Sequence, residues 1–250
     1  MYFIKFERNV LECVDAARGM PRHCAKHALL HLDRAWKLKK RDPEMAVLRA
    51  ITAEEEAATA IFASLRQLGY SRAKKLNFKS HTHKQALHPF LKAVASFLAE
   101  TQHALPPLRR RITKKGNRKI LLIDHVFDGI IGTPEPPLNL TVRELPNRDL
   151  VSFTRHIEQV AGAQGSAKVR VFLEQRAKFR NQLLYADSSG IPRVDREVDQ
   201  FVRSAKDRVL NLLQVFCLIF PYRTRAPFVQ QTMDAFLLML GRVDKDDINW

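Results

Sequence analysis

Apolar residues recur at intervals of three and four positions along most of this chain, as they do in amphipathic helices that pack around a common core. This spacing predicts helices over residues 21–39, 43–68, 82–103, 148–161, 166–186, 195–220 and 226–241. Pro21 suits a first helical turn, and Asp42 and Gly69 are placed to cap and to end the second helix. Thr82 is a candidate cap for the third helix. We therefore predict an all-α fold, a helical bundle.

Residues 104–147 interrupt this helical pattern. They contain a Pro-Pro pair, a run of charges, the apolar run ILLIDHVF, and then GTPEPP and LNLTVREL. Prolines, glycines and short apolar runs indicate turns and short strands. We predict a single helical domain over residues 1–250, with 104–147 inserted as an irregular segment that holds two short strands in a hairpin.

Composition narrows the class of protein. A chain of 250 residues that is 46% hydrophobic can bury a sizeable core. No apolar run approaches the ~20 residues of a membrane span, and the first ten residues lack the apolar segment of a signal peptide. Three scattered cysteines form neither a disulfide framework nor a CxxC metal motif. We expect a cytoplasmic protein with reduced thiols and no membrane partner.

The positive charge is concentrated in one part of the chain. The formal net charge is +16, and residues 57–123 hold fourteen Lys or Arg against one acid, Glu100. Such a surface attracts polyanions, so we predict RNA as a partner; the alternatives are a basic face that is only solvated and a tail that contacts acidic surfaces of a partner. No zinc finger, basic zipper or RNP-type motif is visible, which predicts affinity without sequence readout. The candidate phosphate-binding residues here are His81, Lys84, Arg109, Arg110, Arg111, Lys114 and Lys115.

One carboxylate lies at a core-facing position of the helix predicted from Pro43. At 100° per residue, Glu54 falls within the apolar stripe, Glu55 lies on its flank and Glu56 points away. Removing an unpaired charge from water is costly. Glu54 is therefore either buried beside a Lys, Arg or His, or placed where the stripe meets solvent.

Two arginines break the apolar arc of the helix predicted over 166–186. Arg176 and Arg180 lie one turn apart within that arc. The planar guanidinium binds carboxylate or phosphate in a bidentate manner. Pairing with Glu54 and binding of phosphate both remain open, and we expect this arc to face a second copy of the chain or a shared cleft. The apolar members of the arc are Val169, Phe172, Leu173, Phe179, Leu183 and Leu184.

The histidines form two groups. His23, His27 and His31 recur every four residues on the polar face of one helix, but no carboxylate or cysteine is placed with them. We therefore predict no metal site, and no cofactor is implied. His81 and His83, at a helix start in the basic segment, suit phosphate contact or proton transfer near neutral pH.

The stretches AITAEEEAATAIF (50–62), HTHK (81–84) and RNQLLYADSSG (180–190) follow one another in an order that resembles the HEPN superfamily, and within it the AbiV-type abortive-infection proteins. The resemblance implies a helical bundle, usually dimeric. Many HEPN domains are metal-independent endoribonucleases with an Arg-x-x-x-x-His motif. Arg180 and Asn181 match the start of that motif, whereas Tyr185 stands at its last position.

Cleavage of RNA without a metal needs a base, an acid and cationic donors at the phosphate. The resemblance implies that Arg180 supplies the cation, that Tyr185 donates a hydrogen bond or proton, and that His83 or His81 replaces the missing base. The candidate catalytic residues are Arg180, Asn181, Tyr185, Glu54 and His83. Two functions follow: a ribonuclease or toxin in phage defence or growth control, with an antitoxin or phage protein as partner, or a non-catalytic module that binds RNA, nucleotide or protein.

Overall fold

The computed structural model describes residues 1–101, 108–143, 151–162, 164–185, 190, 193–194 and 197–242. Within these residues the chain forms eight α-helices and one three-stranded antiparallel sheet, which confirms the predicted helical bundle with a small β insertion. The helices are α1 (Lys5–Asp15), α2 (Gly19–Leu38), α3 (Pro43–Gln67), α4 (His81–Glu100), α5 (Thr154–Ala161), α6 (Ser166–Gln182), α7 (Val198–Ile219) and α8 (Pro227–Met239). The strands are β1 (Leu108–Lys115), β2 (Arg118–Phe127) and β3 (Ile130–Gly132).

Helix α3 lies at the centre of the bundle. It packs against α2, α7 and α4, and most of its residues are buried. Helix α3 can occupy the centre because it carries alanine on several faces, and these small side chains let the neighbouring helices approach closely. These buried alanines are Ala46, Ala50, Ala53, Ala57, Ala58, Ala60 and Ala63. Glu54 and Glu55, in the middle of α3, are therefore buried, whereas Glu56 is partly exposed.

Local signals place several helix ends. The Asp42 carboxylate accepts a hydrogen bond from the N–H of Met45 at 3.0 Å, and Gly69 leaves the helix with φ +72°, so both predicted boundaries of α3 are confirmed. The predicted cap Thr82 is wrong. Helix α4 begins one residue earlier, and the hydroxyl of Ser80 accepts the N–H of His83 at 3.2 Å.

Three helices differ clearly from the predicted pattern. Helix α5 begins at Thr154 and not at residue 148, because residues 151–153 are not helical. Helix α1 is an addition: Glu7 accepts the N–H of Ile4 at 2.7 Å, and the helix packs on α7 and β2. Helix α6 ends at Gln182 and not at residue 186, so Tyr185 lies beyond its last turn. Along α6, Val169 and Leu173 are buried in the main core.

The described part of the inserted segment forms three strands and not the two predicted, and its charge run lies in β1. Arg109 pairs in register with Asp124, and Arg111 with Leu122. One face of β2 presents Leu121 to the main core, where buried residues of all eight helices meet in one continuous cluster. None of the helices in the described residues is long and apolar enough to cross a membrane.

Candidate functional site

Glu54 is buried on α3 and paired, as one of the two sequence interpretations predicts. Its side chain is 2% exposed, and its Oε2 accepts a hydrogen bond from the Nε of Arg208 at 2.6 Å. Arg208 belongs to α7, so the partner comes from a helix that the sequence pattern does not single out. The side chain of Arg176 lies outside the described residues.

Glu55, the next residue, is also buried and is the centre of a larger polar cluster. The Nδ1 of His81 lies 2.9 Å from both carboxylate oxygens of Glu55. The Nζ of Lys84 approaches Oε2 at 3.1 Å, and the amide nitrogen of Gln85 donates to Oε1 at 3.2 Å. These three donors all lie on the first turns of α4, which packs against α3. His81 and Lys84, both predicted to contact phosphate, are thus held by a carboxylate of their own chain.

The geometry at Glu55 selects one tautomer of His81. Because a carboxylate only accepts hydrogen bonds, the Nδ1 that faces it carries the proton. The other ring nitrogen, Nε2, has no hydrogen-bond partner among the described residues, and the side chain of His81 is 37% exposed. A histidine oriented by a carboxylate, with its second nitrogen accessible, has the arrangement of a general base.

His83 occupies a different environment from His81. It is 2% exposed; the N–H of Asn77 donates to its Nδ1 at 3.1 Å, and the Nε of Arg242 lies 3.1 Å from its Nε2. Burial, and secondly the charge of Arg242, lower the pKa of His83 to about 4. This ring is neutral and enclosed at neutral pH, which favours His81 as the group that could transfer a proton.

Among the described residues, His23, His27 and His31 do not form a cation site. His23 and His27 are exposed, but His31 is buried, contrary to its predicted place on the polar face. Burial is the main reason why the pKa of His31 falls to about 4. In the part of the chain that the structure describes, no group of three or more His, Cys, Asp or Glu could hold a metal ion.

A cleft of about 350 Å³ opens between α3, α4, α6 and α7. We call it the polar cleft. Its polar wall is formed by Glu54, Gln85, Gln175 and Arg208, and its aromatic wall by Phe172, Phe179 and Phe201. Because Gln85 also donates to Glu55, the cleft adjoins the cluster that orients His81.

No residue of the RNQLLY segment is among the residues that line the polar cleft, although Phe179, which directly precedes it, is. Arg180 is on the same face of α6 as the buried Val169 and Leu173, and its Nε is buried without a hydrogen-bond partner among the described residues. Asn181 is exposed, and Tyr185 is 69% exposed. The structure therefore brings together Glu54 with Gln85 and Arg208, but does not place Arg180, Asn181 or Tyr185 in the lining.

The cationic residues of β1 are all exposed. Arg111 forms a bidentate pair with Asp124, at 2.7 and 3.1 Å, and this pairing holds the pKa of the Asp124 carboxyl below its usual range. Lys115 is paired with Glu135. The alternation of the strand puts Arg110 on the other face, where its guanidinium donates to the side chain of Gln214 on α7. Arg109 and Lys114 form no ion pair within the described residues.

Helical periodicity alone does not single out three residues of this site: Glu55, Gln85 and Arg208. The sequence feature that could have predicted the burial of Glu55 is the composition of α3, which carries alanine on more than one face. A helix that is apolar on several sides is buried on several sides, so adjacent glutamates in it both need partners.

No protein-family model, no curated protein and no solved structure matches this chain. The resemblance to HEPN proteins, and the homodimer that it implies, therefore stay predictions.

Proposed function

We propose that this protein binds single-stranded RNA, with β1 holding the phosphate backbone. The observation that carries the proposal is the row of exposed cations along β1, of which Arg109 and Lys114 have no acidic ion-pair partner in the described residues. Exposed cations without an acidic partner can contact RNA phosphates, and release of counterions then supplies a salt-dependent affinity. The net charge of +16 adds a long-range attraction.

Single-stranded RNA fits better than a duplex because of the polar cleft. Its aromatic wall and its glutamine amides are the groups that proteins use to receive unpaired bases. A base inside a duplex cannot enter such a concave site. In this proposal, β1 contacts the phosphate backbone of the RNA, and the polar cleft contacts its bases.

Titration of a labelled single-stranded RNA at several salt concentrations tests this function. Replacing Arg109 and Lys114 with alanine should weaken binding and reduce the slope of log affinity against log salt by about two, since each phosphate contact contributes about one. Replacing Lys40 and Arg41, which are exposed at the turn between α2 and α3, removes the same charge elsewhere and is the matched control. Equal loss in both variants would show that only net charge matters.

A second candidate function, metal-independent cleavage of RNA, is favoured by the contact between His81 and Glu55. In this reaction the Nε2 of His81 takes the proton of a 2′-hydroxyl, whose oxygen forms a bond to the adjacent phosphorus while the bond to the 5′-oxygen breaks. The leaving oxygen receives a proton from solvent, which yields a 2′,3′-cyclic phosphate and a 5′-hydroxyl. Cations near the phosphate would stabilise the developing charge.

Incubation of the protein with single-stranded RNA in EDTA tests this reaction. We expect His81→Gln to abolish cleavage, while His23→Gln, at an exposed position, leaves it unchanged. Loss of activity in Arg180→Ala but not in His81→Gln would assign the chemistry to the RNQLLY segment. No cleavage by the wild-type protein, together with retained binding, would leave the RNA-binding function alone.

A further inference from the structure

We infer that the polar cleft is a pocket for one unstacked nucleobase, and that Gln85 makes it prefer bases that carry an amino group over uracil. This inference rests on the proposed RNA binding and adds to it a site of base recognition. The site of base recognition lies between α3, α4, α6 and α7, and is separate from β1, which is proposed to bind the RNA backbone.

The aromatic wall supplies the surface on which a base can pack. Phe172 and Phe179 come from α6 and Phe201 from α7, so the wall is built from two helices. The rings of Phe179 and Phe201 have centroids 6.4 Å apart and are tilted by 52°. Phe179 is 39% exposed, although large apolar side chains are usually covered. Bases of single-stranded RNA stack on such exposed aromatic rings.

Gln85, from α4, supplies a directed polar contact to the cleft. It is 3% exposed, and its amide nitrogen is committed to Glu55, which can only accept. Its carbonyl oxygen makes no hydrogen bond with the described residues, so an acceptor is the group that Gln85 can offer to the cleft. An acceptor fixed in this way favours the amino groups of adenine, cytosine and guanine, and finds only one ring N–H on uracil.

The charges in the cleft favour a neutral base over a phosphate. Glu54 and Arg208 form an ion pair in the lining, and the buried carboxylate of Glu55 accepts a hydrogen bond from Gln85. A phosphate would meet two buried carboxylates there, whereas a base carries no charge. Arg208 also lies over the ring of Phe201, 5.5 Å from its centroid, which fixes the position of that ring.

Fluorescence anisotropy with three labelled hexanucleotides tests the inference, using the full chain. The probes are hexaadenylate, hexauridylate and an abasic hexamer with the same phosphates. We expect the wild-type protein to bind hexaadenylate roughly tenfold more tightly than the abasic hexamer, since stacking of one base has about that effect. Phe201→Leu, which keeps an apolar side chain but removes the ring, should abolish this difference and leave the affinity for the abasic hexamer unchanged. Gln85→Met should remove the preference for hexaadenylate over hexauridylate.

Each alternative outcome has a distinct meaning. Equal binding of hexaadenylate and the abasic hexamer by the wild-type protein overturns the inference and leaves backbone binding intact, whereas no binding of any probe overturns the proposed function as well. If Phe201→Leu does not fold, judged by circular dichroism, Phe172→Leu replaces it in the same comparison. Concentration-dependent dimerisation that Phe179→Ser abolishes would show that a second copy of this chain covers the cleft, and would overturn the inference.

Discussion

Replacement of Glu54 with alanine tests the physical account of α3 most sharply, because the neighbouring Glu56 provides a control on the same helix. The Glu54 side chain is 2% exposed and lies 2.6 Å from the guanidinium of Arg208. The Glu56 side chain is 27% exposed and lies 3.4 Å from His27, which is itself 48% exposed. Both changes remove a carboxylate and gain the same helix propensity. The difference between their effects on the free energy of unfolding therefore measures the contribution of burial and pairing.

The expected magnitudes follow from these exposures. Removing one partner of a buried ion pair costs about 3–5 kcal/mol, and the 21% exposure of the Arg208 side chain puts the expected loss for Glu54→Ala at the lower end, about 3 kcal/mol. An exposed pair contributes at most about 1 kcal/mol, so Glu56→Ala should cost less than that. Adding Arg208→Ala to Glu54→Ala should cost less than the sum of the single changes, because the unpaired guanidinium is also removed.

Urea unfolding followed by far-ultraviolet circular dichroism measures these differences. With an m-value of about 3 kcal/mol per molar, the midpoint of Glu54→Ala should fall by about 1 M, and that of Glu56→Ala by about 0.3 M or less. Equal midpoints for the two variants would refute the account, since they would show that Glu54 is solvated or that its pairing is energetically neutral.

Three further predictions concern groups outside the polar cleft. Asp234→Ala should cost about 3–5 kcal/mol in urea unfolding, because this carboxylate is 1% exposed and holds both Nε and Nη2 of Arg72; a cost below about 1 kcal/mol would contradict it. The pKa of His83 is about 4 when folded and about 6.5 when unfolded, so the unfolded chain binds more protons between these values. The stability that His83 contributes should be fully present above about pH 6.5 and be lost, up to about 3 kcal/mol, as the pH drops to about 4. His31 has a similar pKa shift, so His83→Gln should remove only its own share of the pH dependence and His23→Gln should preserve all of it; equal slopes in the wild-type protein and His83→Gln would refute the assignment. Tyr222→Phe should cost about 1 kcal/mol in thermal unfolding, because the hydroxyl donates to a buried backbone carbonyl of β2 at 3.1 Å, and an unchanged melting temperature would argue against that bond.

Local sequence signals predict the elements whose ends depend on a single residue. Asp42 and Gly69 mark α3 correctly because a cap and a left-handed glycine act through neighbouring backbone groups alone. Local signals do not predict helix α1, because it is short and is stabilised by contacts with α7 and β2. The charge run of β1 likewise has low strand propensity and depends on its cross-strand partners, such as Asp124 opposite Arg109.

The candidate site shows where periodicity stops being informative. A single apolar stripe puts Glu54 at a core-facing position and leaves open whether it is buried; because α3 is enclosed by three helices, both Glu54 and Glu55 are buried. Which side chain reaches each carboxylate depends on how α4 and α7 pack, and the spacing along one helix does not encode that. The helical pattern over 166–186 predicts that Tyr185 lies on α6, whereas the helix ends at Gln182 and leaves the tyrosine exposed.

Photocrosslinking of the wild-type protein to a single-stranded RNA, followed by mass spectrometry of the modified peptides, tests the central claim of RNA binding most directly. The account predicts adducts on peptides from β1 and on the aromatic wall, at Phe179 or Phe201. Adducts confined to other surfaces, such as the exposed side of α2, or no adducts at a protein concentration that saturates binding, would contradict it.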